Sequence, residues 1–121
     1  MDGHRLTFLI IEAEPGQGLS TRKLLLETAK HNVITAYSAH EGTRMFKRFP
    51  NVDVVCIDTE LHDLEKANLP GKVRKLNSEI KILALTPRIG AHYDWADEVV
   101  NSHDPAELLK CLEKIGGRTD I

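Results

Sequence analysis

The fold is decided by one stretch of sequence, Val54-Val55-Cys56-Ile57-Asp58-Thr59-Glu60. Its four consecutive apolar residues lie between two aspartates and have the length and composition of a strand that is buried on both faces, as in a parallel sheet covered by helices. Asp58 then stands at the carboxyl end of that strand. Ligands bind at this edge of an open α/β sheet, because the loops that leave the strands converge there. Asp58 is therefore a candidate functional residue, although an aspartate can also do no more than end a strand.

Length and composition predict one soluble domain that spans residues 1–121. The chain is 41% apolar and 28% charged, which is ordinary for a globular protein. Its formal charge of −2 gives no support to a nucleic-acid partner, since binding a phosphate backbone normally needs a concentrated basic face. No apolar run exceeds the length of a strand, and the first residues are polar. We therefore expect neither a membrane span nor a secretion signal, and we expect a cytoplasmic location.

The cysteines and histidines do not form a recognisable metal or disulfide pattern. Cys56 lies in the apolar strand and Cys111 in a helical pattern, which predicts buried, reduced thiols. The six histidines show neither the i, i+4 pairing of a helical zinc site nor a CxxC partner. We therefore expect no zinc site.

Strand-like and helix-like patterns alternate along the chain. Short apolar runs predict strands at residues 6–11, 33–37, 54–58, 80–85 and 98–100. Amphipathic patterns predict helices at residues 17–31, 38–48 and 104–116, and a further helix near Pro70 that the proline is expected to delay or kink. Strands that alternate with helices are joined by right-handed crossovers. The sequence therefore predicts an α/β fold with a doubly wound, five-stranded parallel sheet.

Two of these helices begin with capping residues. Ser38 and Glu41 form an S-x-x-E pattern, in which the hydroxyl and the carboxylate satisfy free amides at a helix start. Asp104 can cap the last helix, because Pro105 suits the first helical position and Glu107 supports the cap. A pair of glycines then ends that helix.

The carboxyl edge of the predicted sheet gathers polar side chains from four strands. These are Glu12 and Glu14 after the first strand, Asp58 after the third, Thr86 after the fourth, and Asn101 or Ser102 after the fifth. Clustered carboxylates opposite a hydroxyl suit a hard cation such as Mg2+ together with a phosphoryl group.

On these residues the chain resembles the receiver domain of bacterial two-component response regulators, which has a flavodoxin-like fold. The stretch Phe8-Leu9-Ile10-Ile11-Glu12-Ala13-Glu14-Pro15 is similar to the family's first strand and acidic pair. Residues 58–66 are similar to its phosphoacceptor strand end and following loop, and Thr86 falls where the family has Ser or Thr. The resemblance spans nearly the whole chain.

The resemblance implies a role for each residue at the sheet edge. Asp58 would be the phosphoacceptor, and Thr86 would contact the phosphoryl group through its hydroxyl. Mg2+ would be held by the carboxylates of Glu12 and Asp58 and by the backbone carbonyl of Glu60. A histidine kinase would donate the phosphoryl group, and the modified domain would then bind its partners differently.

Three departures from the family pattern weaken this expectation. Ala13 stands where the family has the carboxylate that binds Mg2+ directly. Asn101 or Ser102 stands where a phosphoryl-contacting Lys is usual, so this position carries no positive charge. The fifth strand also lacks the usual aromatic switch residue. We therefore expect Mg2+ binding to be weak or absent, and phosphorylation of Asp58 to be poor or absent.

The spacing predicts a shortened or irregular fourth helix. Fifteen positions separate Thr86 from Asn101, and they must hold two loops, a helix and most of a strand. Tyr93 and Trp95 are expected to pack into the resulting gap rather than to bind nucleotides. Since many receivers dimerise through the fourth and fifth helices, we expect a monomer or a different dimer interface.

Two classes of function follow. One is a phosphoacceptor receiver, and the other is a pseudo-receiver that binds a signalling protein without being phosphorylated. An aspartate-nucleophile phosphatase is disfavoured, because those enzymes carry their acidic pair on the first strand, whereas Asp58 and Glu60 follow the third. We therefore expect a signalling domain and not an enzyme.

Overall fold

The five strands form one parallel sheet. The computed structural model describes residues 6–13, 23, 26–27, 29–88 and 90–116. Its strands are β1 (Thr7–Ile11), β2 (Asn32–Ala36), β3 (Val54–Asp58), β4 (Lys81–Thr86) and β5 (Glu98–Asn101). They pair in the order β2-β1-β3-β4-β5, and every neighbouring pair is parallel. The doubly wound, receiver-type sheet predicted from the sequence is confirmed, and each strand lies within one residue of its predicted bounds.

Helices cover both faces of the sheet. They are α1 (Ala39–Arg48), α2 (Leu64–Ala67), α3 (Leu69–Leu76) and α4 (Pro105–Gly116). Leu9 and Ile11 of β1 pack on the face covered by α1, α2 and α3. Phe8 and Ile10 pack on the other face, with Leu108 of α4. This alternation explains why an uninterrupted apolar run forms a central strand, because successive side chains are buried on opposite sides of the sheet.

The start of α1 is held by more than the predicted cap. The Ser38 hydroxyl accepts a hydrogen bond from the Glu41 amide at 3.0 Å, as the S-x-x-E pattern predicts. The Glu41 carboxylate reaches back one residue further than expected, and accepts from the Tyr37 amide at 2.7 Å. The helix then lies close on the sheet at Gly42, where an added Cβ would lie 2.7 Å from the Ile11 side chain. The capping prediction is confirmed.

Two further amides of α1 are satisfied by Asp63, which lies in the loop after β3. Its two carboxylate oxygens accept from the Ala39 amide at 2.9 Å and from the His40 amide at 3.1 Å. Burial alone would raise the pKa of Asp63, but the hydrogen bonds from these amides outweigh it and hold the pKa below its usual value. Asp63 therefore connects the loop after β3 to the start of α1.

We expect Asp63→Ala to lower the free energy of unfolding by about 1–2 kcal/mol at neutral pH, because two amides at a helix start lose their acceptor. The folded pKa is depressed, so this stabilisation is present above the pKa of an aspartate in the unfolded chain. It is lost as the pH falls through the folded value. Urea unfolding at neutral and strongly acidic pH measures both effects. Asp94→Ala is the control, since the Asp94 side chain is 99% exposed and contacts His92. An equal effect of the two substitutions would contradict the role of Asp63.

The helix near Pro70 is interrupted, as predicted. Helix α2 ends at Ala67 and is capped by Asn68, whose left-handed backbone (φ 50°, ψ 45°) redirects the chain before α3 begins. Pro70 falls in the first turn of α3, where its missing amide costs no helical hydrogen bond. The proline therefore sets the start of the second segment rather than kinking a continuous helix.

No helix occurs among the described residues between β4 and β5. This confirms the prediction that the helix expected between these two strands, the fourth of the receiver pattern, is shortened or irregular. Trp95 packs against the core that Ile82 belongs to, and the ring centroids of Tyr93 and Trp95 lie 5.4 Å apart. Asp97 and Arg74 hold the end of this segment against the sheet, with a carboxylate to guanidinium distance of 2.7 Å. The packing role predicted for the aromatic residues is confirmed for Trp95.

Some predictions fall partly outside the described residues. Of the helix predicted at 17–31, Lys23, Leu26 and Glu27 are helical, and most of the rest is not described. Glu14 also lies outside. Cys56 and Cys111 are buried and form no disulfide, as predicted. No described helix combines the length and the apolar character needed to cross a membrane.

Candidate functional site

The carboxyl edge of the sheet brings the predicted site residues together in strand order. Asp58 is the last residue of β3, and its register partner on β4 is Leu85. Thr86 and Asn101 are register partners at the ends of β4 and β5. Glu12 follows β1, whose last residue pairs with Ile57. Four strands thus deliver one polar side chain each to the same edge, because a parallel sheet puts all its carboxyl ends on one side.

Asp58 is held by the turn that follows it. Its Oδ1 accepts a hydrogen bond from the Glu60 amide at 2.8 Å. The Thr59 amide donates to the carbonyl of Leu85 at 2.9 Å, which keeps the first residue of the loop on the sheet. The side chain is half-buried. The carboxylate is therefore oriented by the backbone at the sheet edge and remains accessible to a reactant.

Thr86 is buried, and its hydroxyl makes two contacts. It is 2% exposed. A hydrogen bond of 3.1 Å joins its Oγ1 to the Tyr93 hydroxyl, and the Arg88 amide donates to the same oxygen at 3.2 Å. Both partners come from the irregular segment after β4. This segment therefore does more than fill a gap, because it fixes the hydroxyl at the site.

Asn101 takes part in the turn that leads into α4. Its side-chain oxygen accepts from the His103 amide at 2.8 Å. Its own amide donates to the Glu107 carboxylate at 3.2 Å, and the Ser102 amide donates to the Thr86 carbonyl at 2.9 Å. The Asp104 carboxylate caps α4 by accepting from the Ala106 amide at 3.1 Å, as predicted. The predicted phosphoryl-contacting position thus holds a neutral side chain whose oxygen is used within the turn.

Glu12 and Glu60, two of the residues that the resemblance assigns to Mg2+, differ in their surroundings. Glu12 is 4% exposed, whereas Glu60 is exposed and its carboxylate contacts the Arg88 guanidinium and the Thr59 hydroxyl. Ala13 is exposed at the position where the resemblance implies a direct metal ligand. In the part of the chain that the structure describes, no three His, Cys, Asp or Glu side chains are close enough to hold a metal ion. The described residues provide the carboxylates of Glu12 and Asp58 but lack, at Ala13, the third carboxylate of the Mg2+ site that the family resemblance implies.

The sequence did not predict the contacts of Arg88 and Tyr93 at this edge. Arg88 is two residues beyond Thr86, and its guanidinium lies 3.4 Å from the Glu60 carboxylate. Tyr93 also lines a cavity of about 750 Å³ next to the site, together with Thr59, Leu61 and Trp95. The sequence signal for Arg88 is a cation two residues after the end of the fourth strand. For Tyr93 the sequence predicts packing, and its hydrogen bond to Thr86 is an addition to that role.

Solved structures of known proteins match the chain along most of its length, although no protein-family model and no curated protein sequence matches it. The non-phosphorylated HemR receiver domain from Leptospira biflexa is 26% identical, with a TM-score of 0.79. The match covers 97% of this chain and 98% of that domain. This likeness includes all five strands of the sheet.

A second match concerns a response regulator that has been solved with ligands and partners. TrrA from Thermotoga maritima, in complex with Mg2+-BeF, is 28% identical with a TM-score of 0.68, covering 91% of this chain and 98% of that one. TrrA bound to the histidine kinase ThkA matches with 28% identity and a TM-score of 0.70, covering 91% of this chain and 97% of that one. The chain is therefore similar to proteins that act in two-component signalling.

Proposed function

Since this chain is a divergent receiver domain of the CheY-like, response-regulator type, we propose that it acts in two-component or phosphorelay signal transduction, with Asp58 as its phosphoacceptor. One observation carries the proposal. Asp58 ends β3 and pairs in register with Leu85, the residue before Thr86, which ends the neighbouring strand β4; a carboxylate and a hydroxyl thus lie at neighbouring strand ends of the carboxyl edge. A phosphoryl group bonded to the first can accept a hydrogen bond from the second.

We propose the following roles for these residues in the transfer of a phosphoryl group. A carboxylate oxygen of Asp58 attacks phosphorus, and the bond from phosphorus to the donor breaks, with its electron pair leaving on the donor. Thr86 donates a hydrogen bond from its hydroxyl to a phosphoryl oxygen, and its oxygen can still accept from the Tyr93 hydroxyl and the Arg88 amide. Asn101 offers a neutral contact at most. Glu12, Asp58 and the backbone carbonyl of Glu60 would hold Mg2+ weakly, and the bound ion would neutralise phosphoryl charge.

The proposed partners are proteins. TrrA, which this chain resembles, has been solved with a histidine kinase, and we propose a kinase or another signalling protein as the partner here. A formal charge of −2 favours neither nucleic acid nor an anionic membrane. The missing helix between β4 and β5 reduces the surface on which receivers commonly dimerise, which favours a monomer or a different dimer. We propose a cytoplasmic signalling role without enzymatic turnover.

A pseudo-receiver is the second candidate, and the hydrogen bonds that the Thr86 hydroxyl makes within the protein favour it. The Thr86 hydroxyl already has two hydrogen-bond partners within the protein, Tyr93 and the Arg88 amide. Ala13 and Asn101 each lack a charge that phosphoryl transfer would use. In this alternative the fold binds a signalling protein without phosphorylation.

Acetyl phosphate with millimolar Mg2+, followed by intact-mass measurement, tests the proposed function. We expect slow addition of one phosphoryl group to the wild type and none to Asp58→Asn, because the amide cannot act as the nucleophile. Asp94→Asn is the matched control, since it makes the same change at an exposed position, and it should label like the wild type. A folded wild type that remains unlabelled at long times would favour the pseudo-receiver.

A further inference from the structure

The side chain of Arg88 bridges the two loops that flank the Asp58 site. Its own amide is fixed at the β4 side, where it donates to the Thr86 hydroxyl at 3.2 Å. Its guanidinium reaches the β3 side and lies 3.4 Å from the Glu60 carboxylate. The Glu60 amide in turn donates to Asp58 Oδ1 at 2.8 Å. Arg88 therefore contacts Thr86 directly and contacts Glu60, whose amide is a hydrogen-bond partner of Asp58.

The guanidinium of Arg88 provides a positive charge near Asp58 that the end of the fifth strand lacks. Asn101, at the end of β5, is neutral and its oxygen accepts from the His103 amide. A phosphoryl group arriving at Asp58 carries negative charge that must be neutralised, and fixed cations stabilise it. A guanidinium is always charged and can bind two phosphoryl oxygens at once.

The ion pair of Arg88 and Glu60 is weak enough for Arg88 to leave Glu60 and bind another anion. The two side chains are 68% and 46% exposed, so water screens their attraction and the pair contributes little to stability. An oxyanion with more than one negative charge competes well with the single carboxylate of Glu60. The arginine can therefore exchange one partner for the other with little loss.

We propose that Arg88 supplies the positive charge of this site, moving from Glu60 to the oxygens of a phosphoryl-type oxyanion at Asp58. Glu60 then acts as a competing anion that holds the guanidinium when no oxyanion is bound. The inference rests on the proposed function of Asp58, but it concerns oxyanion binding, which can be measured without covalent transfer.

Titration with inorganic phosphate in the absence of Mg2+, followed by the backbone amide NMR signals of residues 59 and 60, tests the inference. The wild type should show saturable shifts. Arg88→Ala should weaken binding about tenfold or more, and Arg88→Lys should restore part of it, because it keeps the charge and loses the two-point contact. Glu60→Gln should tighten binding, since it removes the competing carboxylate. A purely structural role for the pair does not predict that gain.

Arg48→Ala is the matched control, because it removes an arginine at the far end of α1, where its guanidinium lies over the Phe49 ring. It should leave phosphate binding unchanged. Absence of saturable shifts in the wild type, or equal affinity in the wild type and Arg88→Ala, would overturn the inference.

Acetyl-phosphate labelling of the same variants separates the two proposals. If the wild type labels at Asp58 and Arg88→Ala labels at the same rate, the inference fails and the proposed function stands. If the wild type binds phosphate through Arg88 but never labels, the proposed function fails and the oxyanion role of Arg88 stands.

Discussion

Introducing Ala13→Asp and Asn101→Lys together is expected to raise the rate of Asp58 labelling by acetyl phosphate at least about tenfold. The first change adds an oxygen ligand for Mg2+. A hard cation with one more protein oxygen keeps fewer of its own waters, so its affinity for the site should rise. The second replaces a neutral contact with a charge-assisted hydrogen bond, which is roughly twice as strong. The two changes restore the cation and the ammonium between which a transferred phosphoryl group is stabilised.

Labelling rates by intact mass and Mg2+ titration by Trp95 fluorescence measure the gain. Asp58→Asn in the same background should label no more than Asp58→Asn alone. Asn101→Lys also removes the acceptor of the His103 amide, at a cost to stability of about 1 kcal/mol, so urea unfolding should accompany the rates. Unchanged labelling in a folded double variant would contradict the view that these two positions limit the chemistry.

The sheet was predictable because its physical signal is local. A strand buried on both faces needs an uninterrupted apolar run, and residues 54–57 supply one. The absence of a helix among the described residues between β4 and β5 was also predictable, because the residues between Thr86 and Asn101 are too few to include one. Patterns of this kind depend on apolar periodicity and on the number of residues between elements. They can therefore be recognised even where the family's motif residues are absent.

The contacts within the site were less predictable because they join distant residues. Ser38 was recognisable as a cap, but Asp63 satisfies two more amides of the same helix from 24 and 23 residues away. Arg88 and Tyr93 reach Thr86 from a segment without regular structure, where no periodicity fixes side-chain direction. Such contacts follow from tertiary packing, which the sequence pattern of one element does not contain.

The irregular segment between β4 and β5 is attached to the sheet and to α3 through Asp97. Asp97 Oδ2 accepts from the Ile82 amide at 2.8 Å and from the Arg74 guanidinium at 2.7 Å. Arg74 also donates to the carbonyls of Ile80 at 2.8 Å and Trp95 at 3.4 Å. One carboxylate and one guanidinium thus connect α3, the start of β4 and the aromatic segment. No helix between β4 and β5 shares this task in the described residues.

We expect Asp97→Ala to lower the free energy of unfolding by about 2–3 kcal/mol at neutral pH, because the Ile82 amide and Arg74 both lose their acceptor. Asp97→Asn should cost less, since its amide oxygen can still accept one of the two hydrogen bonds. Urea unfolding measures the loss, with Asp94→Ala as the control at an exposed aspartate of the same segment. Similar stabilities of the Asp97→Ala and Asp94→Ala proteins would show that the attachment lies elsewhere.

The dependence of this effect on pH follows from the charge of Asp97. Burial alone would raise the pKa of Asp97, but hydrogen bonds from the Ile82 amide and the Arg74 guanidinium, with the positive charges of Arg74 and Lys81, hold it below its usual value. The stabilisation is therefore complete above the pKa of an aspartate in the unfolded chain, and it disappears as the pH falls through the folded value. The difference in stability between the wild type and Asp97→Asn should accordingly shrink in strong acid. If it persisted there, the uncharged carboxyl group would be sufficient and the ion pair with Arg74 would not hold the segment.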